Sequence, residues 1–371
     1  MATAGPIILP PDVFQMNYPK KQVTIRQVAS AAGVSAQTVS RVINDRPDVA
    51  PTTRQRVQQV IRQLGYQPNA IARSLIHQRT RTLGVVATRL DYYGPSRTLM
   101  GIEQETRALG YSLLLDLLHH PEAADLEPLL NRLLSHQVDG IIWAVPEIGG
   151  NRTWLERRVP HLPIPVIYLS MQARPELAVV AIDNRSGGRM ATEHLLSQGY
   201  QNIGILTGPL EWWEARERLL GWQDALKSAT RPIEFNQIVE GDWSAASGAS
   251  GIRRLLEAFP QMDAAFVCND QMAVGVLQTA PESGRRIPED LAIVGFDDTP
   301  EAAYYRPPLT TVQQQLVDLG CTAVRELCRM IDANYQLTPE VEPPAILLQP
   351  KLIIRQSSFV SKPILHRSYL P

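Results

Sequence analysis

From residue 83 onward the chain repeats one pattern: short apolar runs, LGVVAT, YSLLLDLL, DGIIWAV, PVIYLS, NIGILTG, AAFVCND and LAIVGFDD, separated by stretches whose apolar residues fall at helical spacing. Apolar runs of this length suit strands covered on both faces, and regular alternation with helices builds parallel sheets through crossover connections. The stretch spans about 290 residues, more than one sheet layer needs, which predicts two α/β layers around a cleft with ligand groups at the strands' carboxyl ends. Several runs close on polar pairs there: Asp183-Asn184, Asn269-Asp270 and Asp297-Asp298.

The preceding residues obey different rules. The formal charge of −1 conceals a segregation, because residues 20–81 carry eleven Lys or Arg against Asp45 and Asp48, a net of +9, while the rest of the chain is acidic. A compact basic module on an acidic body is the footprint of a polyanion binder, since Lys and Arg displace the counterions condensed on phosphates.

The order of residues within that module predicts three short helices. Thr24-Ile25-Arg26-Gln27 has the form of a capping box, Ile25, Val28, Ala29 and Ala32 fall on one helical face, and Gly33 is placed to leave the helix left-handed. Ser35 can cap a second helix with Val39, Val42 and Ile43 inward and Gln37, Ser40, Arg41 and Asn44 on a polar face. A third helix opens with Pro51, turns Val57, Val60, Ile61 and Leu64 inward and ends at Gly65. Two helices joined by a glycine turn form a helix-turn-helix, whose second helix enters the major groove. There a glutamine amide at Gln37 can pair with adenine and a guanidinium at Arg41 with guanine, whereas Ala36 offers a methyl to thymine.

The segment VTIRQVASAAGVSAQTVSRVIND resembles the DNA-binding headpiece of the lac and galactose repressor family of bacterial transcriptional regulators. The resemblance implies a DNA-facing set of Thr24, Ser35, Ala36, Gln37, Thr38, Ser40, Arg41 and Asn44. Ala36 stands where one member of the family has a tyrosine, so that member's operator sequence does not transfer. After Tyr66-Gln67-Pro68, residues 69–77 match the family's hinge helix, which implies that Asn69, Ala72 and Leu75 meet DNA, with Leu75 wedged into the minor groove. A free helix of that length is unstable in water, so ordering on DNA is expected.

The resemblance continues through GPLEWWEARERLLGW, GDWSAASG, NDQMAVG and VGFDDTPEAAYYRPPLTTVQQ. It implies effector-hydroxyl contacts from Arg218, Asn269 and Asp297, an apolar wall from Trp243, and Gln314 where the chain crosses between subdomains. Tyr92, Gly94 and Pro95 match a loop that closes the pocket. Three pocket positions depart from the pattern: His120 stands for an arginine, Ala144 for an asparagine and Ser170 for an aspartate. Losing a charged or amide partner to a hydroxyl costs ~1–3 kcal/mol, enough to change which sugar is preferred.

The expected fold is an all-α helix-turn-helix headpiece and hinge helix followed by an α/β, periplasmic-binding-protein-like body of two parallel-sheet subdomains around a cleft. Its expected parts are a tail, 1–19; the headpiece, 20–67; the hinge helix and linker, 68–81; a body, 82–358; and a tail, 359–371. Within the body the first subdomain takes 82–182 and 314–343 and the second 183–313 and 344–358.

The expected function is repression of transcription by a homodimer on double-stranded palindromic operator DNA, controlled by a small molecule, a sugar with galactosides first. A ligand-activated or corepressor-dependent regulator with a non-sugar ligand is the alternative. A sugar-transport protein shares the body fold but calls for an export signal, and residues 1–19 have no basic residue before their apolar patch. No phosphate loop, nucleophile elbow or zinc spacing occurs, so neither an enzyme nor a cofactor is expected. Cys268, Cys321 and Cys328 are odd in number and scattered, and read as buried hydrophobes in a reducing cytoplasm. His119, His120 and His194 read as surface and helix residues rather than ligands. No apolar run reaches membrane-spanning length, and residues 350–371, with Pro363 and no heptad, carry no tetramerising coiled coil.

Overall fold

A computed structural model describes residues 23–66, 79–120, 122, 125–149, 151, 162–175, 177–335 and 344–359. The chain divides into two compact units, Met1–Thr80 and Arg81–Pro371. The hinge segment with Asn69, Ala72 and Leu75, the tail 1–19 and nearly all of 359–371 lie outside the described residues.

In the first unit, helices α1 (Ile25–Ala32), α2 (Ala36–Ile43) and α3 (Pro51–Leu64) surround a small core of Val28, Ala29, Ala32, Val39, Val42 and Val57. The capping box forms in full: the Thr24 hydroxyl accepts from the Gln27 amide, and Gln27 Oε1 accepts from the Thr24 amide at 2.8 Å. Gly33 leaves α1 at φ 62°, so the chain reverses within three residues. Leu64 differs from expectation. It is 39% exposed, because α3 at 14 residues outruns the two eight-residue helices, whose core takes Val57, Val60 and Ile61 but not Leu64.

The second unit holds two six-stranded sheets. The first contains β1 (Thr82–Ala87), β2 (Ser112–Leu117), β3 (Gly140–Ala144), β4 (Val166–Leu169), β5 (Ala178–Ile182) and β11 (Ala345–Leu348), in the order β11-β5-β4-β3-β1-β2. The second contains β6 (Ile203–Thr207), β7 (Ile238–Glu240), β8 (Ala264–Val267), β9 (Ala292–Asp297), β10 (Thr310–Gln313) and β12 (Lys351–Ile353), in the order β12-β10-β9-β8-β6-β7. All pairings are parallel except β10 with β12. Each sheet reverses its winding at its first strand, β1 or β6, and the crevice beyond such a reversal is where open α/β sheets bind ligands.

Crossover helices cover the sheets: α4 (Tyr93–Ala108), α5 (Glu127–Ser135), α6 (Asn184–Ser197), α7 (Trp213–Ser228), α8 (Ala245–Ala258), α9 (Asp270–Glu282) and α10 (Leu316–Tyr335). The chain passes between the two sheets after β5, after β10 and after β11. The last passage corrects one expected boundary. Residues 345–348 pair in register with β5 of the first sheet, so the chain returns to the second only at Gln349-Pro350. The reason is β5's open edge, whose backbone groups need a partner.

Candidate functional site

The headpiece presents one polar helix face. Ser35 caps α2 by accepting from the Thr38 amide at 3.1 Å, and its hydroxyl lies 3.0 Å from that of Thr38. Asn44 closes the other end, donating to the Ser40 carbonyl at 2.8 Å. These residues, with Thr24 in its box, already have hydrogen-bond partners within the fold. Gln37 and Arg41 are exposed, one helical turn apart. Arg41 is ion-paired with Asp48 at 3.3 Å, a contact weak enough at a surface to be exchanged for a base or phosphate. Ala36 is half-buried and packs against the headpiece core, which limits it to a methyl contact.

Every effector residue expected from the sequence lines one cleft in the body: Tyr92, Gly94, Pro95, Ser170, Arg218, Trp243, Asn269, Asp297 and Gln314. The cleft encloses about 970 Å³ including its mouth and draws walls from the carboxyl ends of β1, β3 and β4 in one sheet and β8 and β9 in the other. Ala144 belongs to the lining. His120 does not: its side chain is 82% exposed and sits beside Glu122.

Polar groups in the cleft are held from behind. Arg218, on α7 and 5% exposed, donates from Nε to Asn184 Oδ1 at 2.8 Å and from an Nη to the Cys268 carbonyl, and its guanidinium stacks 3.8 Å from the Phe296 ring centre. Asn269 caps α9 by accepting from the Met272 amide at 2.9 Å and donates to the Trp243 carbonyl at 3.0 Å. One of its N–H groups remains for a ligand. Gln314 donates to Asp297, whose carboxyl is pushed above the usual range by burial, an effect the Arg218 charge opposes. Next to it Asp270, fully buried, accepts from the Thr311 hydroxyl at 2.7 Å and the Thr299 amide at 2.8 Å, and burial together with the Asp297 charge raises its pKa further.

Backbone strain gathers at the same place. Ser170, Trp243 and Asp297 have φ of 54°, 75° and 120°, values that side-chain-bearing residues adopt only when their surroundings compel it. The Trp243 indole covers Gly208 just after β6, where a β-carbon would overlap the ring. Trp243 meets Trp212 edge-on at 6.1 Å between ring centres, and Trp212 meets Tyr92 likewise at 6.4 Å. The three rings join the loop before α4 to the second sheet's half of the cleft.

Residues outside the sequence-stated set also take part. Trp212, Glu214 and Gln271 line the cleft, and Asn184 orients Arg218. Glu214 stands four residues before Arg218 on α7, and that spacing was the available signal. Asp298, by contrast, faces away from a ligand role, paired with Arg355 at 2.7 Å and accepting from Gln313 at 2.7 Å. The three cysteines are buried, and His194 is buried against the Ser358 hydroxyl at 2.8 Å. Among the described residues there is no cluster of potential metal ligands and no helix long and apolar enough to cross a membrane.

Comparison with known proteins agrees with both halves of this picture. Residues 24–69 match the model of bacterial regulatory proteins, lacI family, and residues 192–358 match a periplasmic binding protein-like domain. The chain is 35% identical to catabolite control protein A of Priestia megaterium over 91% of its own length and 99% of that protein. It is 33% identical to the lactose operon repressor of Escherichia coli strain K12, over 84% and 85% of the two chains. The crystal structure of the lac repressor dimer bound to operator and the anti-inducer ONPF covers 92% of this chain and all of that one, at 32% identity and a TM-score of 0.80. With full-length likeness to such proteins and a fold of the same class, this chain belongs to the lacI family of bacterial regulatory proteins, as a DNA-binding transcriptional regulator and not an enzyme.

Proposed function

We propose that the chain represses transcription as a homodimer on a palindromic operator, read by Gln37 and Arg41 and gripped by Asn69, Ala72 and Leu75, and that a sugar in the body cleft controls this binding. The observation that carries the reading is the cleft itself. It is formed by both sheets, flanked by a flat indole at Trp243, and supplied with a guanidinium, an amide and a carboxyl at Arg218, Asn269 and Asp297. Aromatic faces cover the apolar side of a sugar ring, while such polar groups fix its hydroxyls. A ligand bridging the two halves favours one separation between them, which is the differential contact that a shift between DNA-binding states requires. Ser170 and Ala144 in place of an aspartate and an asparagine support a sugar preference of the chain's own, with galactosides the first class to try.

Selection from a random duplex pool with the purified chain should enrich a two-fold symmetric site. A panel of galactosides and other sugars should then include one that raises the thermal midpoint and changes affinity for that site. Arg218→Ala should abolish the sugar response and spare operator binding. Stabilisation by purines with no response to any sugar would overturn the ligand class.

A further inference from the structure

We propose that Glu214 sets the ligand class of the cleft by selecting a sugar that carries a protonated amine. This rests on the sugar-effector reading above and sharpens it. Among the described residues lining the cleft, three are charged: Glu214, Arg218 and Asp297. The single cation is already engaged, since Arg218 donates to Asn184 and to the Cys268 carbonyl and lies over Phe296. Two carboxyl groups therefore face a cavity whose one guanidinium spends two of its five N–H donors on the protein.

Glu214 is the less satisfied of the two. Its Oε2 is shut off from solvent and has no hydrogen-bond partner, whereas Asp297 accepts from Gln314. The other nearby cation, Arg216, donates from one Nη to the carbonyls of Leu210 and Glu211. Burial pushes the Glu214 carboxyl upward, opposed by its own backbone amide, by the Arg218 and Arg216 charges and by the Ser170 hydroxyl at the end of β4 across the cleft. A carboxyl with one oxygen out of solvent and unpartnered is costly in either charge state and is relieved by a ligand donor, most of all by a cation.

The surroundings suit a cation as well. Tyr92, Trp212 and Trp243 line the same cavity as an edge-to-face series, and aromatic faces attract ammonium groups through their quadrupoles. A carboxylate beside an aromatic wall is the chemistry of ammonium recognition. Ser170 gives Glu214 room and a hydroxyl, where an aspartate would set a second negative charge against it.

The test is isothermal titration of the full chain with D-galactosamine, D-galactose and N-acetyl-D-galactosamine, and with the three gluco counterparts. In at least one series the amine is expected to bind about tenfold or more tighter than both uncharged relatives, the range of one charge-assisted hydrogen bond. Glu214→Gln is expected to remove that advantage, and Glu214→Asp, which keeps the charge, to retain part of it. If the glutamine variant fails to fold, the amine-to-N-acetyl ratio in the wild type still decides. An uncharged sugar binding as tightly as its amine, or an amine advantage that survives Glu214→Gln, overturns the proposal and leaves the sugar reading intact. Binding of no sugar at all overturns both.

Discussion

Single residues carry two kinds of work in this chain, reading and restraining, and they differ in what a substitution should do. Arg41 reads. Exposed on α2 and held only by Asp48 at the surface, it should discriminate at one base pair, so Arg41→Ala is expected to relax preference there by ~1–3 kcal/mol in a competition against single-base operator variants. Uniform weakening across all variants would instead make Arg41 a phosphate contact. Asp270 restrains. It binds Thr299 and Thr311 out of solvent beside Asp297, and its folded pKa lies above the ordinary unfolded value of about 3.9. The folded state then holds the extra proton, so this contribution to stability is complete below the unfolded pKa and is lost as pH rises through the folded one. Asp270→Asn can keep both contacts, accepting from Thr299 and donating to Thr311, and should lessen the fall in thermal midpoint between roughly pH 5 and pH 8. A fall identical to the wild type's would show that Asp270 is ionised throughout. The exposure of Arg41 on α2 was legible from helical spacing alone. Asp270 was visible only as one member of a polar strand end, because its hydrogen bonds depend on Thr299, just after β9, and Thr311, in β10, far along the chain.

Whole elements show why the sequence disclosed some features and hid others. The helix-turn-helix was readable to the residue, since caps, glycine turn and apolar faces are local signals that agree with one another. Among the strands, β7, β11 and β12 are three or four residues long and partly exposed, too short for any period to register. β5 had an apolar run, AVVAI, yet only its polar end drew notice. The placing of β11 turned on an open edge of the first sheet, which no local pattern encodes. Close helix packing was equally hidden. A β-carbon at Gly188 on α6 would overlap the Arg218 carbonyl on α7, and one at Gly221 would overlap the Arg185 carbonyl in return, so the two helices touch backbone to backbone through paired glycines. That contact sets where Arg218 enters the cleft. Gly188→Ala should therefore push α7 outward, lower stability by ~1–3 kcal/mol as overpacking does, and weaken effector binding in the same variant. Lost stability with unchanged effector affinity would detach Arg218's position from the glycine pair.

At the scale of the whole molecule, the body is two sheets joined by three passages of chain with a cleft between them, and both sheets contribute groups that a single ligand can touch. With few connections between them, the halves can change separation under the bias of a bound ligand without either unfolding. Ser170, Trp243 and Asp297 hold strained backbone at that seam, as expected where two arrangements lie close in energy. If the effector favours one separation and operator DNA the other, their binding energies are linked. An effector that weakens operator binding by some factor must itself bind more weakly to the operator complex by the same factor, a coupling ordinarily of 5–150-fold or ~1–3 kcal/mol. Effector titrations with and without saturating operator, at one salt concentration because phosphate contacts depend steeply on salt, should return that common factor. Equal effector affinity in the two titrations would mean that the cleft and the DNA-binding face do not communicate, and an effector that binds tighter in the operator complex would reverse the sign and make the ligand a corepressor.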